Sequence, residues 1–337
     1  MNKHVLVTGG AGYIGSHTAL HLVESGYDVV VLDNLYSGHQ WALPDGAEFY
    51  QGNIHDRDLV GEIIRKCNID SVIHFAGHIV VPESVGNPAK YYQNNVIGSL
   101  NLIDTCIAKN VSQFVFSSSA AVYGIPEFCT VSEEVEPQPI NPYGSTKLIT
   151  EWTLRDFSAA GRNSTAQPFN YVALRYFNVA GAHMGGGLGQ ATPEATHLIK
   201  VACQTACGMR PHLSIFGDDY PTADGSCIRD YIHVDDLAAA HLDALSYLHN
   251  GGESTVLNCG YGHGFSVKQV IDCVKTVSNV DFEVKIKPRR AGDAPELIAD
   301  NKKIKRVLNW QPQHNDLATI CHSAYLWEKK LHAGKII

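Results

Sequence analysis

The chain has 337 residues, of which 45% are hydrophobic and 18% charged, and carries a net charge of −8. That is enough apolar material for one large or two modest globular domains. The acidic balance, with no basic block, argues against nucleic acid or an anionic membrane as a partner, and no apolar run is long enough to span a bilayer.

In chain order, "MNKHVLVTGG" enters a strand pattern at once, which leaves no room for a signal peptide. Strands are expected at 4–9, 28–33, 48–52, 70–77, 113–119 and 171–178, with helices near 13–25, 57–67, 88–109 and 142–159. The strands are rich in Val, Ile and Phe without clean alternation, which implies burial on both faces. This βαβ rhythm predicts an α/β fold with a doubly wound parallel sheet of Rossmann type.

The first turn, "TGGAGYIGS" (8–16), leaves the first strand and opens the first helix. Gly9, Gly12 and Gly15 allow a tight turn and close approach of backbone to a pyrophosphate, which the helix N-terminus then attracts. The second strand ends in Asp33, followed by Asn34. An acidic residue there holds both ribose hydroxyls and repels a 2′-phosphate, so NAD is the expected cofactor and not NADP.

"FSSSAAVYG" (116–124) falls at the C-terminal end of the fifth strand, where such sheets bind ligands, and brings Ser119 there. The next helix opens with "NPYGSTK" (141–147), which places Tyr143 and Lys147 four residues apart on one face. The spacing alone says nothing, because Tyr325 and Lys329 repeat it near the C-terminus. In this context it suggests proton transfer. A phenol that titrates near ~10 in water becomes a base if a lysine ammonium, a positive nicotinamide and a helix N-terminus favour the phenolate. Ser119 then shares the proton or aligns the reacting hydroxyl.

After Asn178 the rhythm breaks at a Gly-rich loop, 181–194. Short strands ("LSIFG", "STVLNCG", "DFEVKIK") and helices near 266–278, 300–308 and 316–331 predict a smaller α+β domain over 179–337. The cofactor domain, 1–178, is expected to be joined by part of 232–260. Nine scattered cysteines with no C-x-x-C motif suggest reduced thiols and a cytoplasmic protein. His17 and His21 share a helix face without a third ligand, so no metal is expected.

Together, "TGGAGYIGS", "SSSAAVYG", "NPYGSTK", "LRYFNVAGA" and "RDYIHVDDLA" resemble the extended short-chain dehydrogenase/reductase family. "IFGDDYPTADGSCIRDYIHV" and "PRRAGD" resemble its bacterial nucleotide-sugar 4-epimerases over nearly the whole chain. The resemblance implies a tightly held NAD that accepts and returns hydride at C4 of a UDP-hexose, with Ser119, Tyr143 and Lys147 catalytic. It adds Tyr13, Ile14, Asn53, Ile54, Phe75, Ala76, Gly77, Asn94, Ser117 and Tyr176 to the cofactor residues. It assigns the UDP-hexose to Asn178, His197, Leu198, Phe216, Arg229, Tyr231, Arg290 and Asp293, with Arg229 and Arg290 on the pyrophosphate. Leu297 stands where such epimerases border C2 of the sugar. A homodimer is implied as well, with helices 88–109 and 142–159 pairing.

The chain also departs from that pattern. Asn53 replaces the usual adenine-binding Asp, and Ile79 a usual Lys. Ala120 and Ala121 replace the Asp-Glu pair of related dehydratases and cannot transfer protons. A uronic-acid 4-epimerase remains an open alternative, while intact Ser119, Tyr143 and Lys147 argue against the further alternative of a non-catalytic NAD-binding protein.

Overall fold

Val5, Val7, Val29 and Val31 join one buried apolar cluster, while Leu6, Val30 and Leu32 join another. Successive strand residues point to opposite faces, so both faces of the sheet are covered. The computed structural model describes residues 4–162, 168–192, 195–290 and 292–334.

The first part contains β1 (His4–Thr8), α1 (Tyr13–Glu24), β2 (Asp28–Asp33), β3 (Glu48–Gln51), α2 (Arg57–Lys66) and β4 (Ser71–His74). It continues with α3 (Val81–Gly86), α4 (Pro88–Tyr91), α5 (Gly98–Ala108), β5 (Gln113–Ser117), β6 (Thr130–Val131), α6 (Pro142–Arg162) and β7 (Asn170–Tyr176). The helix expected over 88–109 is interrupted by a π-helical turn at Tyr92–Ile97, which lies between α4 and α5. A local widening of this kind turns a side chain out of helical register. Here it falls on Asn95, whose carbonyl accepts from the Ser99 hydroxyl at 2.5 Å.

The remainder is β8 (Asn178–Ala180), α7 (Leu198–Ala206), β9 (Leu213–Phe216), β10 (Ile228–Arg229), β11 (Tyr231–His233), α8 (Val234–His249) and β12 (Thr255–Cys259). It ends with β13 (Phe265–Ser266), α9 (Val267–Ser278), β14 (Val284–Lys287), β15 (Glu296–Ala299), α10 (Lys302–Leu308) and α11 (Leu317–His332). Helices α7 and α8 were not foreseen from the sequence.

The main sheet has seven parallel strands in the order β12-β7-β5-β4-β1-β2-β3. The order reverses at β1, which lies between β2 and β4, so a crevice opens at the C-terminal ends of these strands. α1 and α8 pack together over one face of the sheet. α2, α5 and α6 supply Ile63, Leu102 and Leu154 to the other. The smaller region holds a mixed sheet, β13-β10-β15-β6, and two parallel pairs, β11-β8 and β14-β9.

Candidate active site

Gly9 has φ +73°, and a Cβ there would fall 2.6 Å from the Ala76 nitrogen; one on Gly15 would fall 2.2 Å from the Gly9 carbonyl oxygen. Only glycine lets this turn sit so close to the loop after β4 and to its own helix. Gly12 caps α1 without a side chain, so the first amides of the helix stay free for a phosphate. Tyr13 and Ile14 are half-buried in the first turn, and the Tyr13 hydroxyl donates to the Gly181 carbonyl at 2.7 Å.

Asp33 ends β2 and is buried. Its carboxylate accepts from the amides of Ala11 (3.0 Å) and Leu35 (2.8 Å). Burial raises its pKa, and these two bonds oppose the rise. Asn34 Oδ1 caps the Tyr36 amide at 2.9 Å, and Asn53 Oδ1 accepts from the His55 amide at 3.0 Å. Ile54 is buried beside Asn53. The amides of Phe75 and Ala76 both donate to the Thr8 carbonyl, which fixes the 75–77 loop beside the glycine turn. The free helix terminus, the cradle without side chains and the carboxylate beside the glycine turn fit a dinucleotide.

Ser119 begins a 3₁₀ turn directly after β5, and its hydroxyl caps the Ala121 amide at 3.2 Å. Tyr143 enters on the first turn of α6, and the Ser119 hydroxyl acts on its phenol by lowering the pKa that burial raises. Asn141 Oδ1 accepts from the Gly144 amide at 2.9 Å and sets that turn. One turn later, Lys147 Nζ lies 5.9 Å from the centre of the Tyr143 ring and donates to the Ser117 carbonyl at 2.7 Å. The Ser117 hydroxyl donates to the Tyr176 hydroxyl at 2.9 Å.

In the protein itself burial raises Tyr143, with the Ser119 hydroxyl opposing the rise. Lys147 is itself buried and lowered to about 8, with Glu151 opposing the shift. The expected shift toward phenolate draws on the charge of a bound nicotinamide as well as on Lys147 and the helix N-terminus.

Two partners of this group went unnoticed in the sequence. Asn95, next to the expected Asn94, accepts from the His78 amide at 2.8 Å and donates to the His78 carbonyl at 3.0 Å. Asn94 is half-buried and donates to Asn95 Oδ1 at 3.0 Å. Glu151, one turn beyond Lys147, forms a buried ion pair with Arg175 (Nη2–Oε2 2.6 Å) and accepts from the Ser118 hydroxyl at 2.5 Å. The signal for Glu151 was its i+4 spacing from Lys147; Asn95 had none.

The expected substrate residues lie in the smaller region. Asp230 is buried, and its carboxylate accepts from the amides of Tyr261 (2.9 Å), Gly262 (2.9 Å) and Ala299 (3.3 Å). Its carbonyl accepts from the amide of Asn178 at 3.0 Å and from Asn178 Nδ2 at 3.2 Å. That anchor fixes its neighbours Arg229 and Tyr231. Arg229 pairs in register with Leu297 on β15, so the two share one face of the small sheet. Leu297 packs against the cluster that holds Ala120, Val122 and Leu148, beside the turn that carries Ser119. Arg229 Nη2 lies 3.5 Å from Asp293.

Arg290 is exposed, with its guanidinium 3.7 Å over the Phe216 ring. Among the described residues it has no carboxylate partner. His197 caps α7, which begins at Leu198, and hydrogen-bonds Gln190 at 3.0 Å. Ile79 is 39% exposed on the loop after β4. His233, Asp235 and His314 each bring a donor atom within 4.8 Å of the others. His233 already uses both ring nitrogens, toward the Asp235 amide (3.1 Å) and the Ser323 hydroxyl (3.1 Å), which leaves it no lone pair for a metal.

Residues 5–260 match the NAD dependent epimerase/dehydratase family. A UDP-glucose 4-epimerase of Azospirillum brasilense is 49% identical, over 98% of this chain and 93% of its own. The crystal structure of the UDP-glucose 4-epimerase from Brucella ovis in complex with NAD is 43% identical with a TM-score of 0.93, covering 97% of this chain and 98% of that one. The UDP-Glc/GlcNAc 4-epimerase of Campylobacter jejuni is 50% identical with a TM-score of 0.86, covering 97% and 99%.

Proposed function

The chain belongs to the NAD dependent epimerase/dehydratase family, and from that premise we propose that it interconverts UDP-glucose and UDP-galactose by inverting C4 of the hexose. The observation that carries this reading is the Ser119–Tyr143–Lys147 group at the mouth of the crevice, with Ala120 and Ala121 beside it. The group can move one proton at one hydroxyl, and the alanines offer no acid or base for eliminating water.

NAD, when bound, supplies reversible oxidation at C4 and a positive charge near the phenol. Gly9, Gly12, Gly15 and the free amides of α1 would hold its pyrophosphate, and Asp33 its adenosine ribose. Tyr143 takes the O4 proton as the phenolate and returns it as the phenol, with Ser119 aligning the hydroxyl between them. Lys147 adds charge at a fixed distance.

The diphosphate falls to Arg229 and Arg290, whose guanidinium forks suit phosphate oxygens. Tyr231, Asn178, Phe216 and Leu198 complete the nucleotide end. Holding the substrate by UDP leaves the hexose free to present either face. Residues 1–178 with part of 232–260 form the cofactor unit in this reading, and the rest of 179–337 the UDP-sugar unit. All nine cysteines are free thiols, which supports a reducing compartment.

Ile97 and Leu100, 42% and 41% exposed on and just before α5, and Trp152, 48% exposed on the adjoining α6, support a homodimer through these helices. Light scattering that finds a fully active monomer excludes it.

Incubating the protein with UDP-galactose should yield UDP-glucose with no net change in NADH. Absence of any UDP-glucose at high enzyme concentration overturns the reading.

A further inference from the structure

We infer that Tyr36, His78 and Lys90 form a clasp that closes over the bound dinucleotide and slows its release; the inference rests on the NAD reading above. The loop after β2 seats on one side of the glycine turn. His39 donates its amide to the Ala11 carbonyl at 2.9 Å, and a Cβ on Gly38 would fall 2.9 Å from the Ala11 carbonyl carbon. The loop after β4 seats on the other side, at the Gly9–Ala76 contact.

The two loops then meet again, away from the turn. The Tyr36 ring stands edge-on to His78 with centroids 4.9 Å apart, and Lys90 Nζ donates to the Tyr36 hydroxyl at 2.8 Å. The contacts close a ring that runs from the glycine turn through Tyr36, His78 and Ala76 back to the turn. A pyrophosphate at the N-terminus of α1 lies within that ring, because a dinucleotide crosses the strand ends at the point where the strand order reverses.

One side of the ring is braced. Asn95 holds both backbone groups of His78. Glu83 holds Lys90 at 2.5 Å and accepts from the Tyr91 hydroxyl at 2.9 Å. The other side is Tyr36, 63% exposed and next to Leu35, which has φ +59°. An exposed side chain held by one ring contact and one hydrogen bond can swing away without disturbing the core. Tyr36 is therefore the half that opens when cofactor exchanges.

The test loads the protein with radiolabelled NAD, adds excess unlabelled NAD and follows loss of label by rapid filtration. Tyr36→Phe and Lys90→Met each remove the hydroxyl–ammonium bond and should speed release by about tenfold, as loss of a charged hydrogen bond does. Tyr36→Ala should release faster still. The double variant Tyr36→Phe/Lys90→Met should match either single variant, because both remove one contact. Release rates equal to wild type in all variants, with circular dichroism unchanged, overturn the clasp alone. Wild-type protein that neither carries NAD through purification nor takes up label overturns the NAD reading and the clasp with it.

Discussion

Lys147 donates to the Ser117 carbonyl at 2.7 Å, and this bond holds its ammonium 5.9 Å from the centre of the Tyr143 ring. The lysine is locked onto backbone, so its charge reaches the phenol through space at a fixed distance. The Ser119 hydroxyl is the polar group that opposes the rise burial imposes on the Tyr143 phenol.

Tyr143→Phe removes the proton carrier and should lower kcat by about 10²–10⁴, the usual contribution of general acid–base catalysis. Lys147→Met removes the fixed charge and should move the acidic limb of the pH–rate profile upward by a unit or more. An unshifted limb in Lys147→Met would show that the lysine serves only to hold Ser117.

The buried histidines predict acid sensitivity. Burial lowers His17, His233 and His241 to about 4 and His74 to about 3. Their folded values lie below the unfolded value near ~6.5. Between about pH 6.5 and 4 the unfolded chain thus binds more protons, and stability falls as pH falls. Each contributes on the order of 1–2 kcal/mol by pH 5, so Tm should drop by about 5 °C or more from pH 7.5 to 5. A flat Tm over that range, measured by calorimetry, contradicts the assignment.

Arg290 stacks on Phe216 and has no carboxylate partner among the described residues, so its charge remains free for a phosphate. Arg290→Ala should weaken UDP binding about tenfold or more, in line with a charged hydrogen bond of ~1.5–3 kcal/mol. Arg290→Lys should recover only part, because lysine keeps the charge and loses the planar stack. Calorimetry that shows equal affinity for all three proteins removes Arg290 from the site.

Leu297 shares a sheet face with Arg229 and packs beside the turn that carries Ser119. It is smaller than tyrosine, and in the proposed reading it leaves apolar room next to the hexose. UDP-N-acetylglucosamine should turn over measurably but more slowly than UDP-glucose, since such pockets discriminate by only about 1–3 kcal/mol. Leu297→Tyr should abolish the N-acetyl activity and spare the main one. Unchanged N-acetyl turnover in that variant refutes this role for Leu297.

Signals carried by short stretches of chain were legible in the sequence. The glycine turn, the Val-rich strands, Asp33 at the end of β2 and the four-residue spacing of Tyr143 and Lys147 each follow from local sterics or a local repeat. They predicted the doubly wound sheet and brought the expected cofactor and proton-transfer residues to one end of it. Helix α8 escaped notice because "VDDLAAAHLDALSYLH" is buried along most of its length and shows little amphipathic pattern. The unforeseen contacts join distant positions without any repeat: Glu151 with Arg175, Asn95 with His78, and Tyr36 with Lys90 across 54 residues. The direction of the Tyr143 shift belongs to the same class. Spacing can put an ammonium near a phenol, but the desolvation that raises the phenol depends on every element packed around the site, and only the tertiary structure sets that.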